Sequence, residues 1–348
     1  MWKVIGHPRA VTLLRRSLET DSLAHGYLFA GPAHVGKMTL AMNLAQALNC
    51  GETERPCGQC AACQRVASGK HADVQIIGLI PDSSEAKSRM EISIDQIREM
   101  QRAASLPPFE GKYKTFVIDG AELMSIEAAN CLLKTLEEPA DRVEIILLTT
   151  NERLLPATVI SRCQRVELRP LALSEVESAL SGNWGVEPEK ATLLARLSHG
   201  CLGWAVAAAL DSGILQQRSE HLDTLLEMID GGLEERFAYA ARLAAQFSQN
   251  RGLVREKLDL WLDWWRDLLL VKTGVSDAVT NVDRLATLID MGAGYGLVQT
   301  KEYINDIRAA GDQLRQNANP RLVFEMLVLN IPEAARHGER RPAAPGLR

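Results

Sequence analysis

Four cysteines stand close together in the spacing Cys50-x6-Cys57-x2-Cys60-x2-Cys63. Thiolates so near one another can converge on a single cation, and a tetrahedral set of sulfur ligands suits Zn2+ with bonds of about 2.3 Å. Four protein ligands leave no open coordination position, so the expected metal is structural and not catalytic. In a reducing compartment such crowding favours a metal over disulfides or free thiols. Cys131, Cys163 and Cys201 lack comparable neighbours and read as small packed residues. His71 could be mistaken for a further ligand, but four cysteines already complete the set.

A second chemistry lies just upstream. Residues 27–41 read YLFAGPAHVGKMTLA, an apolar strand, then Gly31-x-x-x-x-Gly36-Lys37, then a helix. Glycines there let backbone N–H groups turn inward around a phosphate, with the helix N-terminus adding its partial positive charge. Lys37 would reach the outer phosphates as a point charge. The residue after that lysine should be Ser or Thr, whose hydroxyl binds Mg2+, yet it is Met38, and a thioether is a poor ligand for a hard cation. Thr39 comes one residue late, about 100° further round the helix, and should not substitute cleanly.

The acidic partner of such a loop is expected at the end of another buried strand, Thr115-Phe116-Val117-Ile118-Asp119, where Asp119 would hold the water shell of Mg2+. The next position commonly carries a Glu that orients the attacking water; here it is Gly120. Loss of a general base typically costs 10²–10⁴-fold in rate. Glu122 either reaches into the site or is a solvated loop carboxylate, and the second reading is the plainer one. Nucleotide is expected to bind weakly if at all, with the chain's own ATPase impaired or absent.

These residues need a scaffold. Strand-like runs at Tyr27–Ala30, Val74–Gly78, Thr115–Asp119, Glu144–Thr149 and Arg165–Leu168 alternate with helical patterns at Met38–Leu48, around Ile94–Ser105, and at Ile126–Glu138, which Pro139 stops. This is the pattern of an α/β parallel sheet with helices on both faces. After Pro170 the strands cease. Ser174-x-x-Glu177 reads as a capping box, Pro188 suits a helix's first turn and Gly200 its end, and a third helix is expected over Gly203–Leu210. From about Leu215 the chain reads helical, with stops at Gly231–Gly232, Gly274 and Gly292–Gly294. Trp261, Trp264, Trp265 and Leu268 recur at helical spacing and are read as a buried helix–helix seam in preference to an aromatic binding box. The expected division is an α/β core over 1–170 carrying the cysteine insert at 50–63, a helical lid over 171–212, an all-α domain over 213–335, and a disordered tail over 336–348 rich in Arg, Pro and Gly.

The whole chain bounds the partners. A net charge of −5 over 348 residues argues against a stand-alone nucleic-acid binder. No apolar run reaches the roughly 18–20 residues of a membrane span. The opening MWKVIGHPRA lacks the layout of a signal peptide, so a cytoplasmic location is expected.

The stretches Ser125-IEAANCLLKTLEEPA-Asp141 and Ile145-ILLTTNERLLPATVISRCQ-Arg165 resemble the bacterial clamp-loader branch of the AAA+ ATPases. Leu132-Leu133-Lys134 with Leu136-Glu137-Glu138-Pro139, followed by Ser161-Arg162-Cys163, is the distinctive pair. The cysteine module after the phosphate loop, the opening VIGHPRAVTLL, and Leu314-RQNANPRLVFEML-Val328 near the end are similar as well, so the resemblance covers nearly the whole chain. It implies a AAA+ core, a lid, and a helical collar that packs with neighbouring collars into a ring. It implies that Thr150 is a sensor of the γ-phosphate, the alternative being a Thr that caps a strand end. Arg162 would be an arginine finger pointing at a neighbour's ATP, where a guanidinium neutralises charge building on the transferring phosphoryl group. The alternative is an ordinary surface arginine. Gly200-Cys201-Leu202-Gly203-Trp204-Ala205 resembles the start of the lid helix that usually carries a second arginine sensor, and Trp204 stands in its place as lid packing or a base-stacking platform. The implied partners are gamma/tau and delta subunits, with the sliding clamp and primer-template DNA reached through the assembly. The three losses fit a member that serves a neighbour's ATP site; the alternative is a working ATPase such as a divergent gamma/tau motor. Lys87, Arg89, Arg98 and Arg102 face DNA inside the ring or form a solvated helix face.

Overall fold

The computed structural model describes residues 2–79 and 91–334. The described chain divides into two compact units, one running to Ala191 and including Ser198–Val206, the other comprising Thr192–Leu197 and the residues from Ala207 onward. No helix among the described residues is long and apolar enough to cross a membrane.

The first unit opens with α1 (Pro8–Glu19), β1 (Gly26–Ala30), α2 (Lys37–Asn49) and α3 (Ala61–Ala67). It continues through β2 (Val74–Ile77), α4 (Ile94–Ala104), β3 (Lys114–Asp119), α5 (Ile126–Glu137) and β4 (Val143–Thr149). A short α6 (Ala157–Ile160) leads to β5 (Gln164–Glu167) and α7 (Leu173–Trp184), while α8 (Pro188–Leu197) and α9 (Leu202–Leu210) each contribute residues to both units. All five strands are parallel, in the order β2-β3-β4-β1-β5. Every residue of β1 and β4 is buried, as strands covered on both faces must be. Side-chain alternation sorts Leu28, Phe116, Ile118, Ile145 and Leu147 toward α4 and α5. It sorts Tyr27, Phe29, Val117, Ile146 and Leu148 toward α1 and α2. Each strand expected from the sequence is present to within a residue or so of its bounds.

Two local readings need correction. The capping-box assignment at Ser174 is displaced: α7 begins at Leu173, and Glu175 accepts the Ala172 N–H at 2.9 Å. The chain is already helical at Ser174, so its hydroxyl has no cap to make. α1, unassigned from the sequence, buries Ala10 and Leu14 against β1 and α2 on the strength of Pro8 at its first turn.

One polar residue sits against the pattern. Glu144, the second residue of β4, is buried beside Thr115, its register partner on β3, and both Glu144 Oε2 and Thr115 Oγ1 lack a hydrogen-bond partner. Burial pushes the Glu144 carboxyl from 4.5 up to about 8. The folded state therefore binds this proton more tightly than the unfolded chain does. Its contribution to stability is full below about pH 4.5 and is lost as pH rises through about 8, where the buried group must ionise. Glu144→Gln should abolish that decline: thermal melts at pH 8.5 are expected to show the variant more stable by up to about 4 kcal/mol, with near parity at pH 5. Parallel pH profiles for the two proteins would show that Glu144 is not the titrating group.

The second unit is helical. It comprises α10 (Ser212–Asp230), α11 (Leu233–Gln249), α12 (Arg251–Lys272), α13 (Leu285–Gly294), α14 (Leu297–Arg315) and α15 (Pro320–Leu329). Trp261, Trp264, Trp265 and Leu268 of α12 are fully buried in its core, as the helical spacing predicts. Trp265 meets Tyr295 and Tyr303 edge-on at 5.1 and 4.7 Å between ring centroids, and Trp261 stacks on Tyr239 at 5.8 Å. Asp267 accepts from the Thr280 and Asn281 N–H groups and from Asn281 Nδ2, which pins the loop after α12.

Candidate nucleotide and metal sites

The metal cluster grows out of the end of α2. Cys50 caps that helix, Cys60 is the N-cap of α3, Cys63 lies one turn into α3, and Cys57 sits on the turn between, where Gly58 takes a left-handed φ of 76°. All four sulfurs lie within 4.8 Å of one another. The Cys50–Cys60 and Cys57–Cys63 sulfurs are each 3.9 Å apart. A tetrahedron with zinc–sulfur bonds of about 2.3 Å has edges of about 3.8 Å, so the donor set fits the ion. Backbone N–H groups of Cys60 and Gln59 point at the Cys57 sulfur and bring its thiol down to about 6, whereas burial pushes Cys63 up to about 12. Bound Zn2+ would supply the positive charge that holds all four as thiolates.

His71 is no ligand here. It is buried beside Asp73 and Glu110, and its Nδ1 accepts the Asp73 N–H at 3.2 Å. Asp73 in turn accepts three successive N–H groups, from Phe109, Glu110 and Gly111, at 2.7–2.8 Å. Those bonds pull the carboxyl down against the burial that raises it. Asn49 Oδ1 accepts the Lys112 and Tyr113 N–H groups, and Lys112 Nζ donates to Cys50 O. The cysteine module is thereby tied to the loop that enters β3. Nothing in the sequence near Asp73 announces this, because its partners lie 36–38 residues on.

The phosphate loop runs from the end of β1 into α2. A Cβ on Gly31 would lie 2.3 Å from Leu168 O, so only glycine fits there, and Gly36 takes a φ of 110° at the N-cap of α2. Lys37 is almost fully buried, and its ammonium donates to Gly31 O and Pro32 O, both at 2.6 Å. Burial lowers its pKa, and the nearby carboxylates of Glu122 and Asp119 work against that. The register pairs Ala30 with Thr149 and Asp119 with Leu148, so loop, acid and the polar end of β4 stand together at the carboxyl ends of the strands. The start of α9 closes onto the loop: Gly203 N donates to His34 O at 2.9 Å, and a Cβ on Gly203 would lie 2.7 Å from that oxygen.

The missing parts have become structural. Met38 packs against the core beneath α2, and Thr39 is exposed. Gly120 adopts φ 74°, ψ 49°, a left-handed conformation that costs other L-residues about 1–2 kcal/mol, and a Cβ there would lie 3.0 Å from Leu123 Cδ1. Glu122, two residues on, is not merely solvated. Its Oε1 accepts from Thr150 N at 2.9 Å and from Thr150 Oγ1 at 2.5 Å, while Oε2 is buried without a partner. Glu122 and Thr150 are 28 residues apart, a pairing no local pattern reveals.

A family model described as DNA polymerase III, delta subunit, matches residues 6–172. The DNA polymerase III subunit delta' of Bacillus subtilis is 30% identical over 339 residues, covering 95% of this chain and 98% of its own length. The chain belongs to the DNA polymerase III clamp-loader subunits. The tau subunit of Escherichia coli is 32% identical over 237 residues, which spans 65% of this chain and 36% of tau. Among solved structures, a gamma subunit-related protein from Thermotoga maritima covers 94% of this chain and 99% of its own, with 18% identity and a TM-score of 0.46.

On this clamp-loader subunit, Arg162 stands between α6 and β5 on an exposed turn. Its guanidinium donates to Thr158 O at 2.9 Å and pairs with Glu137 at the end of α5. Trp204 is half-buried on α9. Cys131 donates to Gln101 Oε1, and burial pushes Cys163 up to about 12 and raises Cys201, in line with packed thiols. Arg98 and Arg102 are exposed on α4, Arg98 pairing with Asp95. Lys87, Arg89 and the tail at 336–348 lie outside the described residues.

Proposed function

We propose that this chain is the delta prime-type subunit of a bacterial replicative clamp loader, a stator that serves a neighbour's ATP site and turns over little or no ATP itself. The observation that carries this reading is an asymmetry. Arg162 remains on an exposed turn, held only by groups at the protein surface, whereas the cis site has lost its Mg2+ hydroxyl, its water-orienting carboxylate and its lid cation. A guanidinium that acts in trans needs nothing from its own phosphate loop, so it stays useful when that loop decays. The near full-length match to a delta' subunit supports the same assignment.

In this reading the core over residues 1–170 presents Arg162, the lid over 171–212 rests on the phosphate loop, and the collar over 213–335 joins those of gamma/tau and delta. The assembly uses ATP in the cytoplasm to place the sliding clamp on primed DNA. The cysteine module binds one structural Zn2+. Gly31, Gly36, Lys37, Thr39, Asp119 and Thr150 mark a nucleotide site that binds weakly. The test has two parts. Mixed with candidate gamma and delta subunits, the chain should elute as a stable complex. Alone, it should show no Mg2+-dependent phosphate release above background. Brisk turnover by the isolated chain would instead make it a working motor of the gamma/tau kind.

A further inference from the structure

Thr150 has two donors at the end of β4, its N–H and its hydroxyl, and both go to a single oxygen of Glu122. The carboxylate is brought there by the turn after β3. Gly120 in its left-handed conformation opens a 3-10 turn over Ala121–Leu123, closed by Leu123 N on Gly120 O at 2.8 Å, and Ala121 anchors the turn in the core. The same glycine that removes the usual water-orienting carboxylate thus aims another one at β4. Glu122 Oε2 is buried with no partner, so the carboxylate is held by Thr150 and by the field of Lys37, whose ammonium is already engaged with two loop carbonyls.

We infer that Glu122 is a specificity-determining residue of the nucleotide site: by holding both donors of Thr150, it makes the site indifferent to whether a nucleotide carries a third phosphate. The inference rests on the reading of Thr150 as the residue that would sense that phosphate. Hydrogen bonds to a carboxylate are charge-assisted and strong. A third phosphate must displace the Glu122 carboxylate from Thr150 to be read there, leaving that half-buried group unpaired and close to new negative charge. Met38 offers no oxygen to the Mg2+ that would otherwise offset this charge. ATP therefore gains nothing over ADP.

The experiment is calorimetric titration of the full chain with MgATP and MgADP. Wild type should bind both within about twofold. Glu122→Ala frees Thr150 and should bring an ATP preference of about tenfold, the scale of one charge-assisted hydrogen bond. Thr150→Val in that background removes the hydroxyl donor and should cut the preference back toward parity, with the N–H left in place. Glu122→Gln, which keeps the side-chain shape but removes the charge that strengthens both bonds, should move the ratio toward ATP in the same direction, which keeps the inference open to refutation if Glu122→Ala folds poorly. The inference is overturned by a tenfold ATP preference in wild type, by an ATP-to-ADP ratio that stays at parity in both Glu122→Ala and Glu122→Gln, or by no binding at millimolar nucleotide in either wild type or Glu122→Ala. Phosphate release from the same wild-type samples reports separately on the stator reading: turnover would remove that reading while the ATP-to-ADP ratio still judges Glu122.

Discussion

Replacing Cys57 with Ser is expected to take the chain from about one bound zinc to almost none. A serine hydroxyl is a harder and far less acidic ligand than a thiol, and a three-sulfur remnant no longer closes the tetrahedron. Cys57 is the informative choice because it sits on the turn and not in a helix, so its substitution disturbs the metal before it disturbs packing. The consequences should stay graded with distance. Cys50 and Cys63 are buried, and Gln46 Nε2 still donates to Cys63 O, so α2 keeps its core contacts. The turn between Cys50 and Cys60 has little else to hold it. Structural zinc binding is folding free energy for the segment it closes, so the loss should amount to a few kcal/mol and several degrees in melting temperature. Limited proteolysis should cut the variant within residues 51–59 while the sheet survives. Metal analysis giving full occupancy in Cys57→Ser would mean that the ligand set is wrong.

The cysteines were legible because a metal site is local: ligand type and spacing within one short segment carry almost the whole signal. The strands were legible for a related reason. Strands buried on both faces, such as β1 and β4, write their burial as nearly unbroken apolar runs, and at β1 a glycine marks the stop. Glu144 shows the limit of that signal. It sits in such a run, and nothing beside it in sequence says that a carboxyl there is fully enclosed beside Thr115. The α7 start failed in a different way. Ser174 and Glu177 satisfy the capping pattern, but the chain uses Glu175 on Ala172 N, one of two overlapping solutions separated by less than the tertiary contacts of the segment.

The nucleotide site was half legible. Met38 and Gly120 are departures at defined motif positions, so they can be read as losses from the sequence. What replaces them cannot. Lys37 folding onto Gly31 O and Pro32 O, and Glu122 onto Thr150, are rearrangements among groups that the motif leaves unpaired. Glu122 read as a solvated carboxylate because local sequence cannot show that β4 ends opposite the turn after β3. Only the sheet order brings the two together.

Arg162→Ala should leave this subunit intact and disable its neighbour. The guanidinium is about one-third exposed and its partner Glu137 about half exposed, so the ion pair they form contributes at most about 1 kcal/mol to stability. Zinc content and melting temperature should therefore be unchanged, as should recovery of the complex with gamma and delta. In the reconstituted assembly, the ATP site that receives this side chain should lose on the order of 10³-fold in single-turnover hydrolysis, the scale expected when a trans guanidinium no longer balances charge on the transferring phosphoryl group. Arg162→Lys should rescue little, because an ammonium lacks the planar fork that meets two phosphate oxygens at once. Glu137→Gln sharpens the test. To reach a neighbour, Arg162 must leave Glu137, so weakening that pair should leave hydrolysis unchanged or raise it slightly, whereas an arginine whose only role is to hold α5 against α6 would show the opposite. Unaltered single-turnover hydrolysis in Arg162→Ala would remove the trans role and with it the physical basis for reading the chain as a stator.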